Sequence, residues 1–322
     1  MEKKTFQDRA SLLADVAEMY YLEEKNQAAI AKTIGVTRSM VSRMLTEARE
    51  SGLVEIRIQR PLQLDSDLES DLKEKFGLKD VFVVVTSHTS GERLTRTLGS
   101  AGAKMLARYL APEKILGLAW GTSISATVDA FEVTKQMPLK VVQLVGAMGA
   151  HNMKYDGHDL VARITEKLGG DAYYLNAPYL CQNAEMAKSL LETKSIRETI
   201  SIGKKTDIAL LGIGTTSPDH SSFYLAGYIT RRELDDLRKA GAIGDVGGLH
   251  FDINGQPACD DFSERLVSIR RQDLLSIPVR LGVAGGDGKA EAILGALRSK
   301  YVNVLVIDNM TARKVLELAN SK

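Results

Sequence analysis

Over the first fifty residues apolar positions recur at helical spacing. Leu12, Leu13, Val16, Met19 and Tyr20 share one face of a helix predicted from about Phe6 to Leu22. Asn26 is placed to cap a second helix carrying Ala28, Ile30 and Ala31. Gly35 tolerates the positive φ that ends it, and Thr37 is placed to cap a third. In that third helix Val41, Met44, Leu45 and Ala48 stand at i, i+3, i+4 and i+7 and form the buried stripe. Ser39, Ser42, Arg43 and Thr46 fall on the opposite face, flanked by Arg38 and Arg49. Helix, short glycine-containing turn, helix is the helix-turn-helix pattern. After Gly52 the alternating run "LVEIRI" predicts a strand, a wing beside the trihelical core.

Residues 61–78, "PLQLDSDLESDLKEKFGL", are charged and amphipathic, with Leu62, Leu64, Leu68 and Leu72 in partial heptad spacing. The pattern fits a connecting helix that pairs with a second subunit, and equally a helix packed on its own domain. From Val81 onward short apolar runs ("VFVVV", "ILGLAW", "KVVQLV", "DIALLGIG", "VRLGVAGG", "VNVLVID") alternate with helical segments. That alternation predicts an α/β domain, doubly wound, with a mostly parallel sheet covered on both faces. The expected organisation is a helix-turn-helix domain over 1–58, a linker or oligomerisation helix over 59–78, and an α/β domain over 79–322. No internal repeat or low-complexity tract interrupts it.

Composition changes this picture little, but charge distribution sharpens it. The 322 residues, 44% of them apolar, suffice for one small and one larger domain. Net charge is only +1. Residues 1–31 hold four basic and six acidic side chains, whereas residues 32–60 hold six basic and three acidic ones. Positive charge therefore gathers around the third helix. The two cysteines, Cys181 and Cys259, lack ligand-like spacing, so neither a disulfide framework nor a metal site is expected. No apolar run is long enough to span a bilayer, and the polar N-terminus has no signal-peptide core, so a cytoplasmic protein that binds no membrane is expected.

Candidate chemistry follows from the two predicted domains. Arginine offers a planar fork for guanine, and serine and threonine bond bases or phosphates. Thr37, Arg38, Ser39, Ser42, Arg43, Thr46 and Arg49 are therefore candidate DNA contacts; the plain alternative is a solvated helix face. In doubly wound sheets ligands bind outside the carboxyl ends of the strands. Gly121, Thr122 and Ser123 sit at one strand-to-helix junction, where free N–H groups favour an anion, unless Thr122 or Ser123 simply caps the helix. "GIGTTS" lacks the third glycine of a dinucleotide fingerprint, and "VAGGDGKAEA" has Ala290 where a P-loop needs Ser or Thr. Lys289 is nevertheless placed to meet a phosphate or carboxylate, if it is not an ordinary surface lysine. Asp245 lies in a glycine-rich loop, and "FDINGQP" predicts a hairpin with Asn254-Gly255 at its tip. Asp245 and Asp252 either bond sugar hydroxyls or stabilise the turns. His88, His151, His158, His220 and His250 are scattered and assemble with no carboxylate into a catalytic set, and no cofactor is implied.

The segment "MYYLEEKNQAAIAKTIGVTRSMVSRMLTEARESGLVEIRI" resembles the N-terminal domain of SorC-type sugar-responsive transcriptional regulators. The ordered set "GLAWGTS", "VVQLVGAMG", "AP" at 177–178, "GIG", "GDVGGLHFDINGQP" and "GVAGGDGKAEAILGALRSKYVNVLVIDNMTA" is similar to that family's effector domain. The resemblance implies an effector domain folded like sugar-phosphate isomerases and deaminases, with operator DNA and a sugar or phosphosugar effector as partners. It implies a homodimer or homotetramer, and effector contacts at Gly121, Thr122, Ser123, Gln143, Asp245 and Lys289. The chain departs from the family's glycine pair after Gln143, where Ala147 stands, beside the part of the pocket that selects the sugar. A sugar-phosphate isomerase or deaminase with an added helical domain is the alternative reading.

Overall fold

The computed structural model describes residues 2–54, 56, 61–133, 135–149 and 153–321, with side chains from residue 9 onward. Two compact units emerge, Met1–Pro61 and Leu62–Lys322.

The smaller unit holds α1 (Glu2–Tyr21), α2 (Gln27–Ile34) and α3 (Arg38–Glu50). Local chemistry sets their ends. Asn26 Oδ1 accepts from Ala29 N at 2.9 Å, Gly35 closes α2 at φ 71°, and Thr37 Oγ1 accepts from Met40 N at 3.3 Å. Leu13, Val16, Ala17, Ile30, Ala31, Val41, Met44, Leu45 and Ala48 form the core, while Leu12 and Ala28 face solvent. Arg9 of α1 grips Glu47 of α3 through Nε and Nη2 at 3.0 and 2.5 Å. Much of the strand expected from "LVEIRI" lies outside the described residues.

The larger unit begins with α4 (Ser66–Phe76), β1 (Asp80–Val84), α5 (Gly91–Tyr109), β2 (Ile115–Leu118), α6 (Thr122–Ala130) and β3 (Lys140–Gln143). A 3₁₀ turn at Met153–Tyr155 leads to α7 (Gly157–Leu168), β4 (Asp171–Tyr173), α8 (Ala184–Glu192), α9 (Lys194–Gly203), β5 (Ile208–Leu211), β6 (Gly214–Thr215), α10 (Ser222–Leu225) and α11 (Arg231–Lys239). The remainder is β7 (Gly244–Val246), β8 (Leu249–Phe251), α12 (Asp260–Glu264), α13 (Arg271–Ser276), β9 (Val279–Val283), α14 (Ala290–Arg298), β10 (Val304–Asp308) and α15 (Asn309–Asn320).

Seven strands run parallel in the order β1-β10-β9-β5-β2-β3-β4, and β6, β7 and β8 form a small antiparallel sheet. Every residue of β5, β9 and β10 is buried, so both faces of the central sheet are covered. Strand order reverses between β2 and β5, which opens a crevice at their carboxyl ends. Helix α5 approaches α6 closely, because a Cβ at Gly99 would meet the Ala126 backbone at 2.5 Å. That contact holds the middle of α6 against α5.

Helix α4 belongs to this unit: Leu68 and Leu72 are buried in its core, and Glu69 Oε1 accepts from Val83 N at 3.0 Å. Leu64 bridges Val84, so the segment also shields the edge strand β1. The expected linker thus narrows, and its helix packs on its own domain because β1 and α15 offer a neighbouring apolar surface. No helix among the described residues is long and apolar enough to cross a membrane.

Candidate functional site

On α3, Arg38, Ser39, Ser42, Arg43, Thr46 and Arg49 are all exposed, and so is Thr37 at its N-cap. The helix therefore presents one continuous polar face opposite its buried stripe. Several groups are engaged locally. Thr37 shares a hydrogen bond with Ser39 at 2.9 Å, Thr46 Oγ1 donates to Ser42 O at 3.2 Å, and Arg49 Nη2 donates to Thr46 Oγ1 at 3.3 Å. Met40, 49% exposed, adds an apolar atom group to this face that the pattern alone did not single out.

In the larger unit a cleft opens at the crevice between β2 and β5. Three of the loops that leave parallel strands, and the small antiparallel sheet, bring its polar groups together. The first loop follows β2. Gly121 adopts φ 136°, closed to residues with a Cβ, and becomes the N-cap of α6 without any side-chain capping bond. Simple capping by Thr122 or Ser123 is thus excluded; the Gly121 N–H donates to Tyr155 O at 3.1 Å, and Gly121, Thr122 and Ser123, at the start of a nine-residue helix without a side-chain cap, line the cleft.

The second loop follows β9. Gly286 N donates to Asp308 Oδ2 at 2.9 Å and to Thr311 Oγ1 at 2.8 Å, which anchors the turn that carries Lys289. Asp308 is fully buried, and its other oxygen caps α15 through Thr311 N at 2.8 Å. Lys289 is half-buried rather than a free surface lysine: its Nζ donates to Ile213 O, in the loop after β5, at 2.9 Å. Burial lowers the amine's pKa below the ordinary lysine range, and the nearby Asp245 carboxylate partly opposes that shift.

Asp245 lies on β7 rather than in a loop, directly opposite Gly214 of β6. A Cβ at Gly214 would collide with Asp245 Oδ1, so glycine there lets the carboxylate lie flat over the neighbouring strand. Asp245 Oδ2 accepts from Gly248 N at 2.9 Å. Gly121, Thr122, Ser123, Asp245 and Lys289 therefore line one cleft although they come from distant parts of the chain.

Gln143 does not join them. It is 1% exposed; its Nε2 donates to Val145 O at 2.8 Å and its Oε1 accepts from Leu175 N at 3.2 Å. Both ends of the amide tie the loop after β3 to the loop after β4, so the residue expected to touch a sugar holds backbone in place instead. Asp252 likewise serves its turn, with Oδ1 accepting from Asn254 N at 2.9 Å and Gln256 N at 2.8 Å. The hairpin tip at Asn254-Gly255 has Gly255 at φ 78°.

Trp120, Thr215, Ser222, Phe223 and Gly247 also line the cleft. Trp120 and Phe223 meet edge to face at 5.0 Å and make an aromatic wall. The lone tryptophan, one residue before the Gly121 turn, was a readable signal; Phe223, on the single turn α10, carried none. His158 stacks on Tyr174 at 4.1 Å, His220 is exposed beside Gly288, and His250 is buried against Phe262; none of the three lines the cleft. His151 lies outside the described residues. Among the described residues no cluster of three or more His, Cys, Asp or Glu side chains is arranged to hold a metal ion.

Comparison with known proteins bears on both units. A family model described as "Putative sugar-binding domain" matches residues 60–317, and one described as "Bacterial regulatory proteins, crp family" matches residues 26–54. The deoxyribonucleoside regulator of Bacillus subtilis (strain 168) is 30% identical over 309 residues, covering 96% of this chain and 98% of that protein. The sorbitol operon regulator of Klebsiella pneumoniae is 30% identical over 312 residues, covering 96% and 99%. The crystal structure of that organism's full-length sorbitol operon regulator SorC matches with a TM-score of 0.71 at 29% identity, over 96% of this chain and 99% of that one. With a helix-turn-helix unit, a sugar-binding α/β unit and full-length relatives of the same organisation, the chain belongs to the SorC-type family of sugar-responsive transcriptional regulators.

Proposed function

We propose that α3 reads operator DNA and that a phosphosugar held in the β2–β5 cleft controls that binding. Arg43 and Ser39 enter the major groove, while Arg38 and Arg49 lie nearer phosphates. In the cleft, the N-terminus of α6 at Gly121, Thr122 and Ser123 receives the phosphate together with Lys289. Asp245 accepts from a sugar hydroxyl, since a carboxylate beside a phosphate would repel it. The observation that carries this reading is the convergence of a helix start without a side-chain cap, a half-buried lysine and a buried carboxylate at the switch point of the sheet. The cleft binds rather than transforms its sugar, a reading supported by the regulator names of the relatives. The protein acts in the cytoplasm, where both operator and effector are found, and as a homodimer or homotetramer.

The test is an operator-retardation assay on purified protein, with and without a panel of sugar phosphates. Sequence-specific retardation that one sugar phosphate alters is the expected result. Turnover of a sugar phosphate without specific DNA binding would replace this reading by an enzymatic one.

A further inference from the structure

Behind the aromatic wall of the cleft lies a hydroxyl whose proton has no acceptor in the fold. Tyr179 is 2% exposed. Its ring stacks on Phe223 with centroids 5.4 Å and planes 24° apart, and it meets Trp120 edge-on at 6.4 Å. Trp120 and Phe223 both line the cleft. The hydroxyl presses on the Cα of Gly248, where any Cβ would strike it. Gly248 is the residue whose N–H holds Asp245, and its neighbour Gly247 lines the cleft. The Trp120 indole is the polar donor beside Tyr179 Oη, and the Asp245 carboxylate lies nearby; the phenol's own proton has no acceptor among the described residues. Burial pushes the phenol's pKa well up, so it remains a neutral O–H donor.

A buried tyrosine ordinarily pairs its hydroxyl, because an unpaired one forfeits the bonds that water gave it. Phenylalanine would fill the same space without that loss. A tyrosine here gains from an acceptor that the fold itself does not supply. Such a partner must reach the Gly247–Gly248 turn, and the route to that turn is the cleft, past two side chains that already form its wall. Phe223 stands on the single helical turn α10, between Trp120 and Tyr179.

The geometry points to Tyr179 as a specificity-determining residue of the effector cleft: its hydroxyl donates to a sugar hydroxyl that seats between Asp245 and the Trp120–Phe223 wall. This rests on reading the cleft as the phosphosugar site. It adds that the effector carries a hydroxyl on the side away from its phosphate, reaching past Asp245.

The experiment compares wild type with Tyr179→Phe by calorimetric titration with ribose 5-phosphate, 2-deoxyribose 5-phosphate, fructose 6-phosphate and glucose 6-phosphate. Melting curves of the unliganded proteins accompany it. For the sugar phosphate that wild type binds best, Tyr179→Phe should weaken binding at least about tenfold, equal to about 1.4 kcal/mol. The unliganded variant should melt at the same temperature as wild type or higher. Unchanged affinity in Tyr179→Phe overturns the role of the hydroxyl while leaving the cleft assignment intact. Lost affinity with a lower melting point also overturns it, because the hydroxyl would then serve the fold. If wild type binds none of the four, the reading of the cleft itself fails and this role falls with it.

Discussion

Replacing Lys289 by alanine separates the two halves of the proposed effector site. The amine sits 2.9 Å from Ile213 O, half-buried, on a turn fixed by Asp308 and Thr311. Its removal leaves that turn's own hydrogen bonds in place, so the effect should fall on the ligand. A unit charge pair at about 4 Å is worth roughly 4 kcal/mol at an effective dielectric constant near 20, before desolvation is subtracted. The net loss expected for one charge-assisted bond is about 1.5–3 kcal/mol, roughly ten- to a hundredfold in affinity. Calorimetry should show that loss for a phosphosugar and little change for its dephosphorylated analogue. Asp245→Ala should weaken both ligands alike, because the sugar hydroxyl is common to them. The pH profile adds a signature. Burial already lowers the lysine's pKa, and only the charged amine attracts the anion. Phosphosugar affinity in wild type should therefore fall as pH rises, beginning below the range where an ordinary lysine deprotonates, whereas Lys289→Ala should lack that alkaline decline. Equal loss for both ligands in Lys289→Ala, or an unchanged alkaline limb, would refute the placement of the anion beside this amine.

On α3, Arg43→Ala should cost about 1–3 kcal/mol on operator DNA and relax base preference at one position, whereas Arg49→Ala should weaken all sequences alike and lower the salt slope by about one. Equal loss of Arg43→Ala on operator and random DNA in a retardation assay would rule out base reading. A single such unit buries only about 600–1,000 Å² on DNA, so light scattering should find a dimer or larger assembly on the operator; a monomer there would contradict the two half-sites expected. His250 is buried, which lowers its pKa, with Asp245 opposing. The unfolded chain then takes up a proton on acidification that the folded chain refuses, so stability is lost as pH falls below the ordinary histidine range, by up to about 1.4 kcal/mol per pH unit. In His250→Gln the melting temperature should decline less steeply from about pH 7.5 to pH 5.5, and an equal slope would remove this residue from the acid response.

Sequence alone determined what depends on neighbours along the chain. Asn26, Gly35 and Thr37 end and begin helices through bonds and dihedral angles within four residues, so their roles were legible. The apolar runs of β1, β5, β9 and β10 announced buried parallel strands for the same reason, since each segment carries its own burial pattern. The family resemblance then gathered Gly121, Asp245 and Lys289 before any contact among them was known. Tertiary structure decided which polar atoms are left over. Whether Gly121 or a hydroxyl caps α6 depends on the φ of 136° imposed where β2 meets the helix. Gln143 looks like a ligand in sequence, yet its amide is consumed by Val145 O and by Leu175 N, the latter 32 residues away. Lys289 reads in sequence either as an anion ligand or as an ordinary surface lysine, and Ile213 O, 76 residues away, draws it into the cleft. That the Tyr179 proton lacks an acceptor is decided only where Phe223, Trp120 and Gly248 close around the ring. Periodicity and capping are short-range properties written into consecutive residues. Satisfaction of a polar group is a sum over whatever the fold brings within about 3 Å, and no stretch of sequence contains that sum.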